Sequence, residues 1–543
     1  MRKNLKKVFA LVLASTCITG VLYGCGDKSK TIDMSENVTI VLSGPQGATD
    51  DWQNTNIIEG LQEKFGLTIV CEPLASDSWS TKFSLMLAED EMPDVVINPG
   101  IDMAKISEYG EQGYFLALNE YLDYMPNLKA FFKDNPEFEK YCTSDDGNIY
   151  TIPQYNNYKY ESMPRVWIRT NWLENVGMEY PTTVDELYDV LVAFRDKDAN
   201  GNGDPNDELP IAYASSYGRK VEHSILPAFG INAGGGTNSV YYVLDDEDGK
   251  VVLEQTTDNY KEYLRFMNKL WDEGLIYNES YSTDISKLRE LVSDSRVGVY
   301  TDAAGSYFSK TGEVDNRFDL LVGLTSKWND KPFVGMGPYT GKRGEILVNS
   351  ATENPERICQ MIDFFLSEEG IKTGMYGFEE LECVPSVVEG FEEFEIPTKI
   401  APEGYDSFEA YRHKKLVINE GFDFRKYEEP GISYMVEYGP QDKLEALLAS
   451  EEAANEAWIV RLKLRDGLSY EETFPTLAYS GGIGMERATL KTDIENYIKT
   501  TSAQFIIGEL DVDKDWDTYI STLNKMGLEK LLDLEQQAYD KLK

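Results

Sequence analysis

The chain has 543 residues, with 94 acidic against 52 basic side chains and a formal net charge of −42 at pH 7. A field of that sign argues against nucleic acid and against anionic membrane surfaces as partners. The length suffices for two or more large cores, while six cysteines without CxxC spacing and two distant histidines, His223 and His413, give no zinc pattern.

Arg2, Lys3, Lys6 and Lys7 precede an apolar run, Val8 to Tyr23, that is too short for a confident membrane span. Residues 1–24 therefore read as a signal peptide. The run closes on Leu22-Tyr23-Gly24-Cys25, which resembles the lipobox of bacterial lipoproteins. That resemblance implies cleavage before Cys25, diacylation of its thiol, and a domain held at the outer face of a membrane. An ordinary secretory signal ending near a cysteine is the alternative. Residues 25–36 are polar and read as a tether. Beyond them no run of about 18 apolar residues occurs. Cys71, Cys142, Cys359 and Cys383 are either buried thiols or, in an exported protein, members of an oxidised pair.

Asn37–Ser43 predicts a buried first strand, and the loop Gly44–Asn56 after it carries Trp52. A helix from Ile57, a strand Thr68–Glu72, a helix Asp77–Leu87 with Trp79 near its start, and a strand ending at Ile97 follow. This alternation predicts an α/β fold with parallel strands, in which ligands collect beyond the carboxyl ends of strands. Trp52 and Asn98 lie in such loops. Gln154, Tyr155 and Tyr158 cluster before a strand Arg165–Arg169, where the first crossing between lobes is expected. Trp167 and Arg169 share one face of that strand. Leu320–Leu324 predicts the second crossing.

Thr183 and Glu186 form a capping box, and Leu187, Val190, Leu191 and Phe194 then follow helical spacing. The helix runs into FRDKDANGNGDPNDELP. Oxygen-bearing side chains alternate from Asp198, with glycine at the sixth position. A calcium ion needs such a loop, because six to eight oxygens must reach about 2.3–2.6 Å from one centre. Leu209 stands where an EF-hand has its closing glutamate. The expected ligands are Asp198, Asn200 and Asn202, the Asp204 carbonyl, and Asp207 and Glu208 as closing acids, around a structural ion. An acidic surface turn is the alternative. Further on, a hairpin Tyr241–Gln255, a helix bearing Tyr260, Tyr263, Leu264, Met267 and Trp271, and a strand Val297–Thr301 are predicted. Asn354 and Pro355 start a helix ended by Gly370, and the C-terminal third is mostly helical. Trp271 and Trp516 read as core residues on apolar helix faces.

The calcium loop, Trp167–Phe194 (WIRTNWLENVGMEYPTTVDELYDVLVAF), Arg265–Ile276 (RFMNKLWDEGLI) and Ile507–Leu528 (IGELDVDKDWDTYISTLNKMGL), taken with the lipobox, resemble the extracellular solute-binding proteins, family 1, of ABC transporters. The similar group is the large lipoproteins related to the alginate-oligosaccharide-binding proteins. The resemblance implies a two-lobed, periplasmic-binding-protein-like (type II-like) fold with a hinge and helical C-terminal additions. It implies a saccharide ligand, a permease partner, a monomer and no catalysis. The family's calcium ligands map onto Asp198, Asn200, Asn202, Asp204, Asp207 and Glu208. An extra residue in Asp204-Pro205-Asn206 leaves Asn206 and Asp207 as rival ligands. The expected division is 37–154 plus about 318–385 for the first lobe, and 155–317 plus about 386–543 for the second. Sugar binding calls for aromatic faces and planar polar groups on strand-end loops. Trp52, Trp79, Asn98, Gln154, Tyr155, Tyr158, Arg169, Asp302, Tyr307 and Tyr376 meet that description. A surface glycoside hydrolase and a peptide-binding lipoprotein of the same architecture are the competing readings.

Overall fold

Two four-stranded sheets organise the molecule, one in each lobe. The computed structural model describes residues 37–542 except 48, 50, 156–162, 215–219, 235–239, 246–247, 303–317, 337–339, 380–382, 386–394, 398–401, 406–407, 419–421, 423–440, 449–460, 464, 466, 476, 478 and 480.

The first sheet begins with Val38–Pro45, whose β-branched residues favour a pleated, buried strand. The helix Asn56–Phe65 buries Ile57, Ile58, Leu61 and Phe65 on the sheet and stops at Gly66, which takes the left-handed conformation. Leu67–Leu74 then pairs parallel to the first strand, from Val38↔Leu67 to Pro45↔Leu74. Val95–Ile97 adds on the other side, also parallel. The edge strand Ile346–Val348 arrives from far along the chain and pairs antiparallel with Val95–Ile97. The first lobe is thus discontinuous in sequence.

The second sheet has the order Phe318–Leu320, Val166–Arg169, Val297–Thr301, Leu209–Ala212. Its core is built on Trp172, Leu187, Leu191, Phe194, Tyr263 and Met267. Close packing there requires glycine at Gly298: a Cβ would lie 2.5 Å from the Phe194 ring and 2.9 Å from Trp172. The C-terminal helices Gly481–Ile506, Val512–Lys525 and Leu528–Leu542 cover this lobe through Ile494, Ile498, Phe505, Trp516, Tyr519 and Leu531.

The capping box forms as its spacing implies. The Glu186 amide donates to Thr183 Oγ1 at 3.1 Å, and Glu186 Oε2 accepts from the Thr183 amide at 3.2 Å. Thr183→Ala should cost about 1 kcal/mol and lower the melting midpoint by about 2–4 °C; an unchanged calorimetric midpoint would show that the cap contributes nothing.

Three boundaries differ from expectation. Phe318–Leu320 pairs with Val166–Arg169, so it belongs to the second sheet and is no crossing strand. The return crossing is Thr340–Gly344, which pairs antiparallel with Pro153–Tyr155 and forms a two-stranded connection between lobes. Phe408, Leu416 and Val417 pack against Tyr376, and Ile418 and Phe422 enter the first lobe's core, so this segment joins the first lobe. Gly370 does not end the helix after Pro355. That helix stops at Phe364, and Gly370 lies inside the next one, Glu368–Tyr376. Among the described residues no helix is long and apolar enough to cross a membrane.

Candidate functional site

The strand Val95–Ile97 ends in a loop that turns sharply, with Asn98 at φ 47° and Gly100 at φ 74°. The turn delivers Asp102 to the start of the helix Met103–Glu111, where its carboxylate accepts the Lys105 amide at 2.9 Å. Asp102, Met103 and Ala104 form one wall of a cavity of about 260 Å³. Asn232 and Val240–Tyr242 of the second lobe, with Phe474, Tyr479, Arg487, Lys491 and Glu535 from the C-terminal region, form the rest. The cavity therefore lies between the lobes, as ligand sites commonly do at domain interfaces. The helix Gly481–Ile506 passes close to the first lobe here, and a Cβ on Gly484 would sit 2.9 Å from Ala104 Cβ.

Its chemistry is mixed. Arg487 Nε donates to Glu535 Oε1 at 2.9 Å, and the guanidinium lies 4.0 Å from the Tyr479 ring centroid. Glu535 is buried and its second oxygen accepts the Tyr479 hydroxyl. Burial, followed by the neighbouring Arg487, pushes the Lys491 ammonium below its ordinary value, while Glu495, Glu535 and Asp102 act against that. Burial is also the main reason the Tyr242 phenol is raised, with Glu535 adding to it. Phe474 sits between Tyr242 and Tyr539, at ring distances of 5.9 and 5.5 Å. Flat aromatic faces beside a fixed guanidinium–carboxylate pair can bind the C–H face and the hydroxyls of a sugar ring together.

Several residues expected from the sequence lie elsewhere. Trp52 is fully buried in the first lobe's core, its Nε1 donating to the Gln46 carbonyl at 3.0 Å. Trp79 stacks on Phe83 and donates to the Pro99 carbonyl at 2.9 Å, so it braces the loop after Ile97 from behind. Arg169 is buried against Phe318 and donates to the Val297 and Val292 carbonyls at 2.8 and 2.6 Å. Asp302 is buried and held by both guanidinium donors of Arg289, at 2.8 and 3.0 Å. Tyr376 is buried against Phe408. None of these five side chains has a surface to offer a ligand in this conformation. Apolar packing outweighed loop position for the three aromatics, and buried carbonyl or ion-pair demand did so for the two charged groups.

Asn98 remains in its loop, half-buried, its backbone N–H donating to the Glu345 carbonyl at 2.8 Å. Gln154 and Tyr155 are half-buried on the crossing strand. The Tyr155 hydroxyl donates to Asn135 Oδ1 at 3.1 Å, with its ring edge-on to Phe131 and Phe138. Tyr158, Tyr307 and Cys25 lie outside the described residues, and Cys383 opens a short strand, Cys383–Pro385, paired antiparallel with Glu395–Pro397. Cys71, Cys142 and Cys359 are free thiols.

Asp102, Phe474, Arg487, Lys491 and Glu535 were not singled out from sequence. Asp102 stands four residues after Asn98 in the same strand-end loop. Arg487 and Lys491 are an i, i+4 cationic pair on one helix face. Glu535 stands on the apolar stripe of Leu528–Leu542, where a buried acid could have been noticed, and Phe474 carries no local signal.

The loop after the helix Val184–Asp196 folds on itself through its own side chains. Asn200 Oδ1 accepts the Asn202 amide at 2.9 Å, Asn202 Oδ1 the Asp204 amide at 2.7 Å, and Asp198 Oδ2 the Gly203 amide at 2.9 Å. Glu208 Oε1 accepts the Ala199 amide at 2.9 Å. Among the described residues no three His, Cys, Asp or Glu side chains converge as metal ligands. Asp207 instead accepts from the Asn200 and Asn202 side-chain amides, both at 3.0 Å. Two carboxylate oxygens, Asp198 Oδ1 and Glu208 Oε2, are nonetheless buried without a hydrogen-bond partner. Burial raises Glu208 above its ordinary value. Two orphaned anionic oxygens in a ring of Asn and Asp side chains fit a hard cation.

A model of the bacterial extracellular solute-binding protein family matches residues 51–372. The chain is 25% identical to the fructooligosaccharide ABC transporter substrate-binding protein FusA of Streptococcus pneumoniae serotype 4, over 99% of this chain and 98% of that one. It is 24% identical to lipoprotein LipO of Bacillus subtilis, over 97% of each. The solved structure of a FusA EF-hand mutant in complex with fructo-nystose superposes with a TM-score of 0.71 at 24% identity, covering 93% of this chain and 99% of that one. This last likeness is one of fold.

Proposed function

Because the chain belongs to the bacterial extracellular solute-binding protein family, we propose that it is the binding subunit of an ABC importer, taking an oligosaccharide between its lobes and delivering it unchanged to the permease. The observation that carries this reading is the inter-lobe cavity, where Tyr242 and Phe474 stand beside the Arg487–Glu535 pair. Asn98, Gln154 and Tyr155 are retained as outlying contacts, along with Tyr158 and Tyr307. Lipid on Cys25 would tether a monomer to the outer face of the membrane; the relative LipO is itself named a lipoprotein. Calcium would be held by Asp198, Asn200, Asn202, Asp204, Asp207 and Glu208, once the two asparagine amides turn their oxygens inward. Its part is structural, to neutralise the carboxylates and tie the end of one helix to the strand Leu209–Ala212.

Thermal unfolding of the protein without residues 1–25, against oligosaccharides and short peptides, tests this. A saccharide should raise the midpoint by mass action and be recovered intact. Release of reducing ends would sink the binding reading in favour of a hydrolase, and a response to peptides alone would move the ligand class. With a saccharide found, Phe474→Ala should weaken its binding about tenfold, or about 1.4 kcal/mol, by titration calorimetry. An unchanged affinity would remove Phe474 from the site.

A further inference from the structure

We propose that the inter-lobe site takes an uncharged saccharide and rejects uronates and other anionic glycans, an inference that rests on the saccharide reading above. The charged side chains described in its lining are Arg487 and Lys491 against Asp102 and Glu535. The two cations are matched by two carboxylates, and Arg487 is not left over for a ligand anion. Arg487 already has a carboxylate at 2.9 Å and an aromatic ring over its plane. A ligand carboxylate would have to displace buried Glu535 or lie beside it, and like charges in a desolvated site repel strongly.

One helix start in the wall, that of Met103–Glu111, is closed in the same way. A helix N-terminus is a ready anion site. Here the chain's own Asp102 occupies it, accepting the Lys105 amide at 2.9 Å. At longer range, a chain of net charge −42 slows the approach of any polyanion. Neutral hydroxyls face no such barrier. Each can donate to a carboxylate and accept from a guanidinium or ammonium, so a balanced ion pair satisfies both sides of a sugar's hydrogen-bonding capacity. The same balance that excludes an acid therefore suits a diol.

The experiment is titration calorimetry of the protein without residues 1–25. Neutral trisaccharides and tetrasaccharides (kestose, nystose, maltotriose, mannotriose) are compared with trigalacturonate and a mannuronate trimer, at about 20 and 300 mM salt. At least one neutral sugar should bind with an affinity indifferent to salt, and the uronates at least 100-fold more weakly. A uronate that binds as tightly as the best neutral sugar, and more weakly as salt rises, overturns the inference while leaving the saccharide reading intact. If only peptides bind, both fall. Glu535→Gln should narrow the preference for neutral sugars at least tenfold by freeing Arg487. Asp102→Asn, at an exposed position where folding is not at risk, should narrow it in the same direction. A preference unchanged in both variants would show that these carboxylates do not set the selectivity.

Discussion

Asp319→Ala should destabilise the protein by about 3–5 kcal/mol, and lower the melting midpoint by roughly 6–20 °C. Asp319 lies in the strand Phe318–Leu320 and is 4% exposed. Its Oδ2 accepts from Arg461 at 3.0 Å and Arg465 at 3.4 Å, and Oδ1 accepts the Leu320 amide at 2.8 Å. Burial raises its carboxyl pKa in spite of both guanidinium groups. Desolvation thus offsets the Coulomb attraction, and the cluster is costly to break without being a large source of stability. Alanine would leave two half-buried cations facing the vacated site. The effect should also reach the cavity. Arg461 and Arg465 anchor the stretch that leads into Ser469–Glu472, which pairs with Phe333–Met336, and Phe474 follows directly. Ligand affinity should therefore fall along with stability. The control is Glu369→Ala, which breaks the exposed pair with Lys64 at 2.9 Å and should cost under about 1 kcal/mol. Equal losses for the two variants would refute the distinction between buried and exposed pairs.

Calcium removal should lower the midpoint by roughly 3–10 °C when about 10 mM calcium is replaced by chelator. This follows from about 1.4–2.7 kcal/mol of linkage at the affinities of extracellular calcium modules. Asp198 Oδ1 and Glu208 Oε2 should dominate the response, because a buried carboxylate oxygen without a partner costs free energy that a cation would recover. Asp198→Ala should abolish the response to chelator and leave a midpoint near that of the calcium-free protein. Identical melting curves with and without calcium would leave Asp198–Glu208 an acidic turn closed by its own amides.

Local patterns were legible wherever the physics is local. The Thr183–Glu186 cap, the stripe from Leu187 to Phe194 and the strand Val297–Thr301 need only neighbours a few residues away, and all are present. The hairpin near Asp248-Gly249 forms as well, with Gly249 at φ 67°. Trp271 and Trp516, placed in the core by their helix faces, do pack against the second lobe's core. The aromatic ligand candidates fared worse. Position after a strand says that Trp52 and Trp79 are near a binding edge, but not which way an indole points. Both turn inward, where burying a large ring outweighs leaving it on the surface.

What the sequence by itself determined was the alternation of strands and helices, the acidic character of the chain, and the spacing of oxygen side chains from Asp198 to Glu208. Each depends on residues close in the chain or on composition summed over it. The tertiary structure alone decided where the lobes divide, since strand pairing joins Ile346 to Ile97 and Phe318 to Arg169 across long intervals. It alone decided the site too. Asp102, Phe474, Arg487 and Glu535 meet only because the C-terminal helices fold back over both lobes. A balanced ion pair between Arg487 and Glu535 is a property of separation in space, and no spacing in the chain encodes it.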